Sequence, residues 1–214
     1  MSESERLNKA LQALDLLSRN LIDKAAPVRF EVAQSTPARE AAFRLRYQAL
    51  VDRGAIKPEE MPDGLERDDQ DDRAIQVVGW DGNTAIATGR LVTPVPDQPL
   101  PTEQAFGLVI EPRGEVIDIG RYTVSRDYAQ KEGRFFVGML GFCWLEARAR
   151  GYFRVCGTAS PGMLRHYRRI GFIVTELAPP HSYYGEDRYP CWYDVVGSAN
   201  VLIGKWGTAM SANV

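Results

Sequence analysis

Arg46, Glu66, Asp68, Asp71, Arg90, Asp118 and Arg121 are the side chains of this sequence best suited to chemistry. Carboxylates that crowd together raise one another's pKa, which poises one of them as a base near neutral pH. Glu66 is the first choice for that base and Asp118 the second. The arginines would offset the acidic charge, and one could grip a small substrate's carboxylate through paired hydrogen bonds. Each piece also has a plainer reading. The run from Asp68 to Asp72, taken alone, is what a solvated acidic loop looks like, and it lacks the glycine and terminal glutamate spacing of a calcium loop. Asp118 and Arg121, three apart on an expected strand, point to opposite faces. A bulge, for which the intervening Gly120 gives room, would bring both to one side.

The elements that must position these groups show in the periodicity. Leu7, Leu11, Leu14, Leu17, Leu21 and Ile22 recur at helical spacing over residues 5–25, ahead of Pro27. Val28, Phe30 and Val32 alternate with more polar neighbours, as in a strand. Thr36-Pro37 opens a second helix, which carries Arg46 and stops near Gly54. Residues 55–73 are acidic and aperiodic, and a loop that long in a compact domain is usually functional or disordered. Strands at 74–80 and 84–93, joined by Asp81-Gly82-Asn83, make a hairpin, and 94–101 is a proline-rich connection. Then come a strand at 115–124, a helix at 134–150, a short strand at 153–157 and a short helix at 161–170. Strands at 172–177 and 192–196 complete the series. The expected organisation is an N-terminal helical extension (1–27), one α+β domain (28–198) and a tail (199–214) whose anchors are Val201, Leu202, Ile203 and Trp206.

With 214 residues, 44% of them apolar, the chain can bury a core without disulfides or metals. No apolar run approaches the ~20 residues that cross a bilayer, and the polar N-terminus is no secretory signal, so the cytoplasm is the expected compartment. Cys143, Cys156 and Cys191 lack metal-ligand spacing and read as reduced packing thiols; no metal is expected. His166 reads as a surface residue, and His181 as a border of the acceptor mouth. The net charge of −2 conceals an asymmetry: 14 basic against 21 acidic residues up to Gly120, then 12 against 7. A basic second half suits the phosphates of a coenzyme or an acidic carrier protein. A pI near 5.8 and the lack of a basic–aromatic stripe argue against nucleic acid.

From residue 115 onward the order of elements resembles the central part of GNAT acyltransferases. That resemblance implies a mixed, mostly antiparallel sheet, splayed near its middle, with helices on both faces. It also implies that Val124, Arg126, Gln130, Gly133 and Arg134 hold the pantetheine arm and phosphate of a thioester donor, with N–H groups of the turn and the helix dipole facing the anion. Phe135 stands where the family has a small residue. A bulky group there would obstruct a diphosphate and so favours an acyl carrier protein over coenzyme A. Tyr167-Arg168-Arg169-Ile170-Gly171-Phe172 resembles the family's Tyr-x-x-x-Gly-Phe ending, in which the tyrosine protonates the departing thiolate. A phenol of pKa about 10 suits a thiol of about 8–9. Its plainer reading is a core tyrosine with its hydroxyl at the surface.

The charged set, in its order, resembles acyl-homoserine lactone synthases and long-chain N-acyl amino acid synthases over roughly residues 40–175. The matching pieces are Arg46, the Glu66-x-Asp68-x-x-Asp71 loop, Gly89-Arg90-Leu91, Phe106-Gly107-Leu108, and Asp118 three before Arg121-Tyr122. The resemblance implies transfer of a long fatty acyl group, from acyl carrier protein or acyl-coenzyme A, to the amine of an amino acid or similar small acceptor. No tightly bound cofactor is implied. Arg46, Asp68, Asp71, Arg90, Phe106, Arg121 and Tyr122 would bind substrate, and Glu66, Asp118 and Tyr167 would act in catalysis. The acyl chain would run beneath Phe106 and the 134–150 helix, and backbone N–H groups of 119–124 would hold the oxyanion. Leu50 and Ile56 stand where the lactone synthases have a Phe and a Trp that close around S-adenosylmethionine, which disfavours that substrate here. A lactone synthase, an acetyl-coenzyme A acetyltransferase and a non-catalytic binding protein remain as alternatives.

Overall fold

The computed structural model describes residues 2–183 and 185–207; the side chains of 129–132 lie outside that description. The chain opens with α1 (Glu3–Lys24), whose first turn is closed by a reciprocal cap between Ser2 and Glu5. Leu11, Leu14 and Leu17 make its buried stripe. After β1 (Arg29–Val32), Ser35 caps α2 (Thr36–Asp52) with Pro37 in the first turn, so the cap falls one residue before the expected threonine. Strands β2 (Ile75–Asp81) and β3 (Thr84–Val92) form the hairpin. A helix not foreseen in the connection, α3 (Pro101–Phe106), precedes β4 (Val116–Val124). Then follow α4 (Glu132–Ala149), β5 (Arg154–Ala159), α5 (Pro161–Ile170), β6 (Ile173–Glu176), β7 (His181–Tyr183), β8 (Glu186–Asp194) and α6 (Ala199–Trp206).

The sheet runs β1-β2-β3-β4-β5-β8-β6, with β7 pairing on β8. Every pairing is antiparallel except that of β4 with β5. This parallel pair is the splay. Its ladder runs from Val116–Arg154 to Ile119–Gly157 and stops, although β4 continues to Val124 and β5 to Ala159. Gly157 sits at the fork because a Cβ there would come within 2.3 Å of the Ile119 carbonyl oxygen. The fold is therefore a GNAT-like α+β architecture with an open, mostly antiparallel sheet.

One large apolar core unites the α4 face of the sheet with the helices around it. Leu11, Leu14 and Leu17 of α1 and Ala199 and Leu202 of α6 share it with Ile117 of β4 and Met139 of α4. A smaller cluster, Val92, Leu100, Ile110, Val116 and Cys156, fills the opposite face near α3.

Candidate active site: a charged ring and an apolar chamber on two faces of one strand

Three arginines and three carboxylates close a ring of alternating charge. Arg46 on α2 pairs with Glu66 through Nε and with both oxygens of Asp71 through NH1 and NH2, each at 2.9 Å. Arg90 on β3 reaches Asp71 at 3.0 Å and Asp68 at 2.6 Å. Arg121 on β4 completes the circuit, holding Asp68 at 2.7 Å and Glu66 at 3.1 Å. Gln76, a residue the sequence does not single out, donates to Asp71 at 2.8 Å from β2. The loop carrying the acids is pinned by Asp68, whose side chain accepts from the Gln70 amide while its own N–H donates to Asp71. Arg46 and Glu66 are 2% and 1% exposed, so the circuit is internal on that side. Its outward corner is Asp68 and Arg121, with side chains 26% and 14% exposed.

A bulge in β4 makes the ring possible. One residue separates Thr88 from Arg90 on β3, whereas two separate their partners Thr123 and Gly120, and Arg121 takes up the extra residue at φ +55°. Arg121 thus reaches the acids on the same face as Asp118, whose Cα partner is Val92, two residues from Arg90. Gly89 lies opposite, where any Cβ would meet the Tyr122 ring at 2.7 Å. Tyr122 itself turns to the other face.

For Glu66 and Asp71 the expected mutual elevation does not occur. Burial alone would raise Glu66, but Arg121 and Arg46 outweigh it and hold the group below its ordinary value. Burial likewise works against ionised Asp71, and the Arg46 hydrogen bonds with the charges of Arg46 and Arg90 hold it well below the usual carboxylate range. Asp118 is different. Burial pushes it up to about 6, against the opposing pull of Thr102 and Arg90. It is 4% exposed, accepts the Thr102 N–H at 2.8 Å and lies 3.6 Å from the Cys156 thiol. The carboxylate with a base's pKa is therefore Asp118, set by desolvation rather than by crowding.

Across β4 lies a partly open apolar chamber of about 50 Å³, lined by Ile119 and Tyr122 of β4, Val155 of β5, Cys143 and Ala147 of α4, and Tyr167 of α5 among others. Tyr167 is 5% exposed and packs edge-on against Tyr193 and Phe172, and burial raises its pKa above the ordinary phenol value. The expectation that Phe106 roofs the acyl pocket needs correction: Phe106 stacks on His181 at 4.0 Å and is no part of the chamber lining. Arg121 faces that stack's neighbour Tyr183, its guanidinium 6.0 Å from the ring. Tyr183 thus lies between that stack and the half-buried Arg121–Asp68 corner.

At the start of α4, Gly133 is exposed and a Cβ there would meet nothing within 4 Å. Val124 ends β4, while Arg126 and Arg134 are exposed on the turn and the helix start. The Gln130 side chain lies outside the described residues. Phe135 is 2% exposed and packs edge-on with Tyr128, so it does not crowd the turn, and the inference from it to a carrier-protein donor is withdrawn. Among the described residues, no cluster of His, Cys, Asp or Glu is placed to hold a metal, and no helix is long and apolar enough to cross a membrane.

The sequence model for the family described as N-acyl amino acid synthase FeeM matches residues 41–190, which include every member of the ring. The chain belongs to that family. Among solved structures, FeeM, an N-acyl amino acid synthase from uncultured soil microbes, superposes with a TM-score of 0.60 at 16% identity, over 82% of this chain and 94% of that one. BjaI, a coenzyme A-dependent acyl-homoserine lactone synthase solved with SAM and isopentyl-CoA, gives 0.63 at 22% identity, over 84% and 89%. TofI, solved with an inhibitor and MTA, gives 0.61 at 23% identity, over 81% and 96%. No curated protein sequence matches the chain. As a FeeM-family member with the GNAT-like splay, the chain is an acyltransferase.

Proposed function

We propose that this FeeM-family enzyme transfers a long fatty acyl group from a phosphopantetheine thioester to the amine of an amino acid or similar small zwitterion. One observation carries the reading: β4 divides a charged, partly open face from an apolar chamber, and its pairing with β5 ends where the two could meet. The acceptor's carboxylate binds Arg121, and its amine sits near Asp68. The donor's arm enters along the turn after Val124, past Arg126, Gly133 and Arg134, and the acyl chain enters the chamber.

Aminolysis needs an unprotonated amine close to the carbonyl carbon. Asp118, with its pKa near 6, is mostly ionised at neutral pH and takes the amine proton, through water given its burial. Glu66 serves the site as fixed negative charge that positions Arg46 and Arg121. The new C–N bond forms as the C–S bond breaks, with backbone N–H groups of β4 beyond Ile119 facing the oxyanion. Tyr167, which burial makes a weaker acid than a free phenol, hydrogen-bonds the departing sulfur, yields its proton as the C–S bond breaks and regains one from solvent.

The test is to incubate the purified protein with sixteen-carbon acyl-coenzyme A or the same acyl group on carrier protein, plus a mixture of amino acids, and to analyse products by mass spectrometry. A new N-acyl amino acid supports the reading, and the arm that yields it identifies the donor. Release of methylthioadenosine from S-adenosylmethionine, or turnover of acetyl-coenzyme A in preference to long chains, overturns it.

A further inference from the structure

A second, partly open apolar cavity, about 50 Å³, lies behind the first. Its walls come from α1 (Leu14, Leu17, Leu21) and α6 (Leu202, Trp206), closed against α4 and α5. Both helices fall outside residues 41–190, so this cavity is built by segments that the family match does not include. Leu140, Trp144, Phe172 and Val195 line both cavities. A residue with one cavity on each side is the whole thickness of the wall there, so a single layer of side chains divides them. Trp144 in that layer is tied to α1: its indole N–H donates to Asp15 at 2.7 Å, and Arg148 donates to the same oxygen at 3.3 Å.

We infer that the far end of a long acyl chain passes the Trp144 partition and lodges in the chamber between α1 and α6, which thereby set the upper limit of chain length. This rests on the acyl-transfer reading above. The chemistry favours an alkyl occupant: among the described lining residues Ser18 is the only hydroxyl, the rest being apolar but for the glycine of α4 and the ring N–H groups of Trp144 and Trp206, which donate to Asp15 and the Ile170 carbonyl. Continuity with the first chamber makes that occupant the acyl tail. Asp15 is then a positioning residue, acting on chain length through Trp144.

Leu21→Trp, at a half-buried position, should fill the second chamber, and Leu17→Ala should enlarge it. With thioesters of eight to eighteen carbons, Leu21→Trp should lower kcat/KM for the sixteen-carbon donor by about tenfold or more, since each methylene in an apolar pocket is worth about tenfold at the low end. The ten-carbon donor should be affected less than about twofold on the same scale. Leu17→Ala should move the preference to longer chains, which keeps the inference decidable if the tryptophan variant does not fold by circular dichroism. Profiles for the folded variants that superimpose on the parent's overturn the inference. Failure of every thioester to turn over counts instead against acyl transfer. The chamber is then decided by calorimetry with free fatty acids: loss of the sixteen-carbon acid alone in Leu21→Trp supports it, and unchanged binding overturns it.

Discussion

The two faces of β4 solve opposite physical problems with residues one or two apart in sequence. On one face, Arg121 joins a ring in which each charge is offset by neighbours of opposite sign. On the other, Ile119 and Tyr122 border a chamber where no charge enters the lining. Between them, Asp118 belongs to the charged face but stays outside the ring, accepting a backbone amide instead of a guanidinium. Guanidinium partners therefore make Glu66 and Asp71 weak bases, and burial that its partners only partly offset makes Asp118 a usable one. A shared sign of charge says little about role; the partner decides.

That contrast can be broken most sharply at Asp118. Asp118→Asn keeps the shape and should reduce kcat by roughly 10²–10⁴-fold, the range for loss of a general base, measured by steady-state product formation. Its stability should rise near neutral pH. A carboxyl raised from its ordinary 3.8 to about 6 stabilises the fold fully below pH 4 and loses that contribution as pH climbs through 6, a cost of about 3 kcal/mol that the amide avoids. Urea titrations of parent and variant at pH 4 and pH 8 measure the difference.

Arg46→Met has the reverse outcome. It strands Glu66 and Asp71 without their main partner, and removing one member of a buried pair costs about 3–5 kcal/mol. Chemical denaturation at pH 7 should show that loss. Glu66 and Asp71 have lowered pKa values, so their stabilisation is present above the ordinary carboxylate range and disappears as pH falls below about 4. The parent should accordingly be acid-labile, and the variant's deficit should shrink with acid.

Smaller effects should separate the two faces by kinetic parameter. Tyr167→Phe, on the chamber side, should lower kcat with little change in acceptor KM, by about 10²-fold if proton delivery to sulfur limits the reaction. Phe106→Ala removes a stack worth about 0.5–1.5 kcal/mol and should raise acceptor KM up to about tenfold with kcat nearly unchanged.

The charged face was largely legible in the sequence because ion pairs need particular residue types, and Arg46, Glu66, Asp68, Asp71, Arg90 and Arg121 stand out as an ordered set. Even the bulge had a signal in Gly120. The rank order of bases was not legible, because burial and hydrogen-bond partners, not spacing, separate Glu66 from Asp118. Gln76 was missed because one glutamine in a strand carries no distinguishing pattern. On the apolar face, a side chain that lines a cavity and one that fills a core are the same residue types, so Cys143, Ala147 and Val155 gave no hint of a chamber. Phe106 was misplaced for the same reason. The leucines of α1 announced a helix, but nothing in their spacing said that they enclose a cavity.

A two-substrate kinetic matrix tests the division of labour most directly, comparing Arg121→Gln with Ala147→Leu across several acyl lengths and acceptor concentrations. Arg121→Gln should raise acceptor KM and leave acyl-length preference untouched, while Ala147→Leu should shorten the preferred chain and leave acceptor KM untouched. If each variant shifts both parameters alike, β4 does not separate two sites, and the account of this enzyme fails.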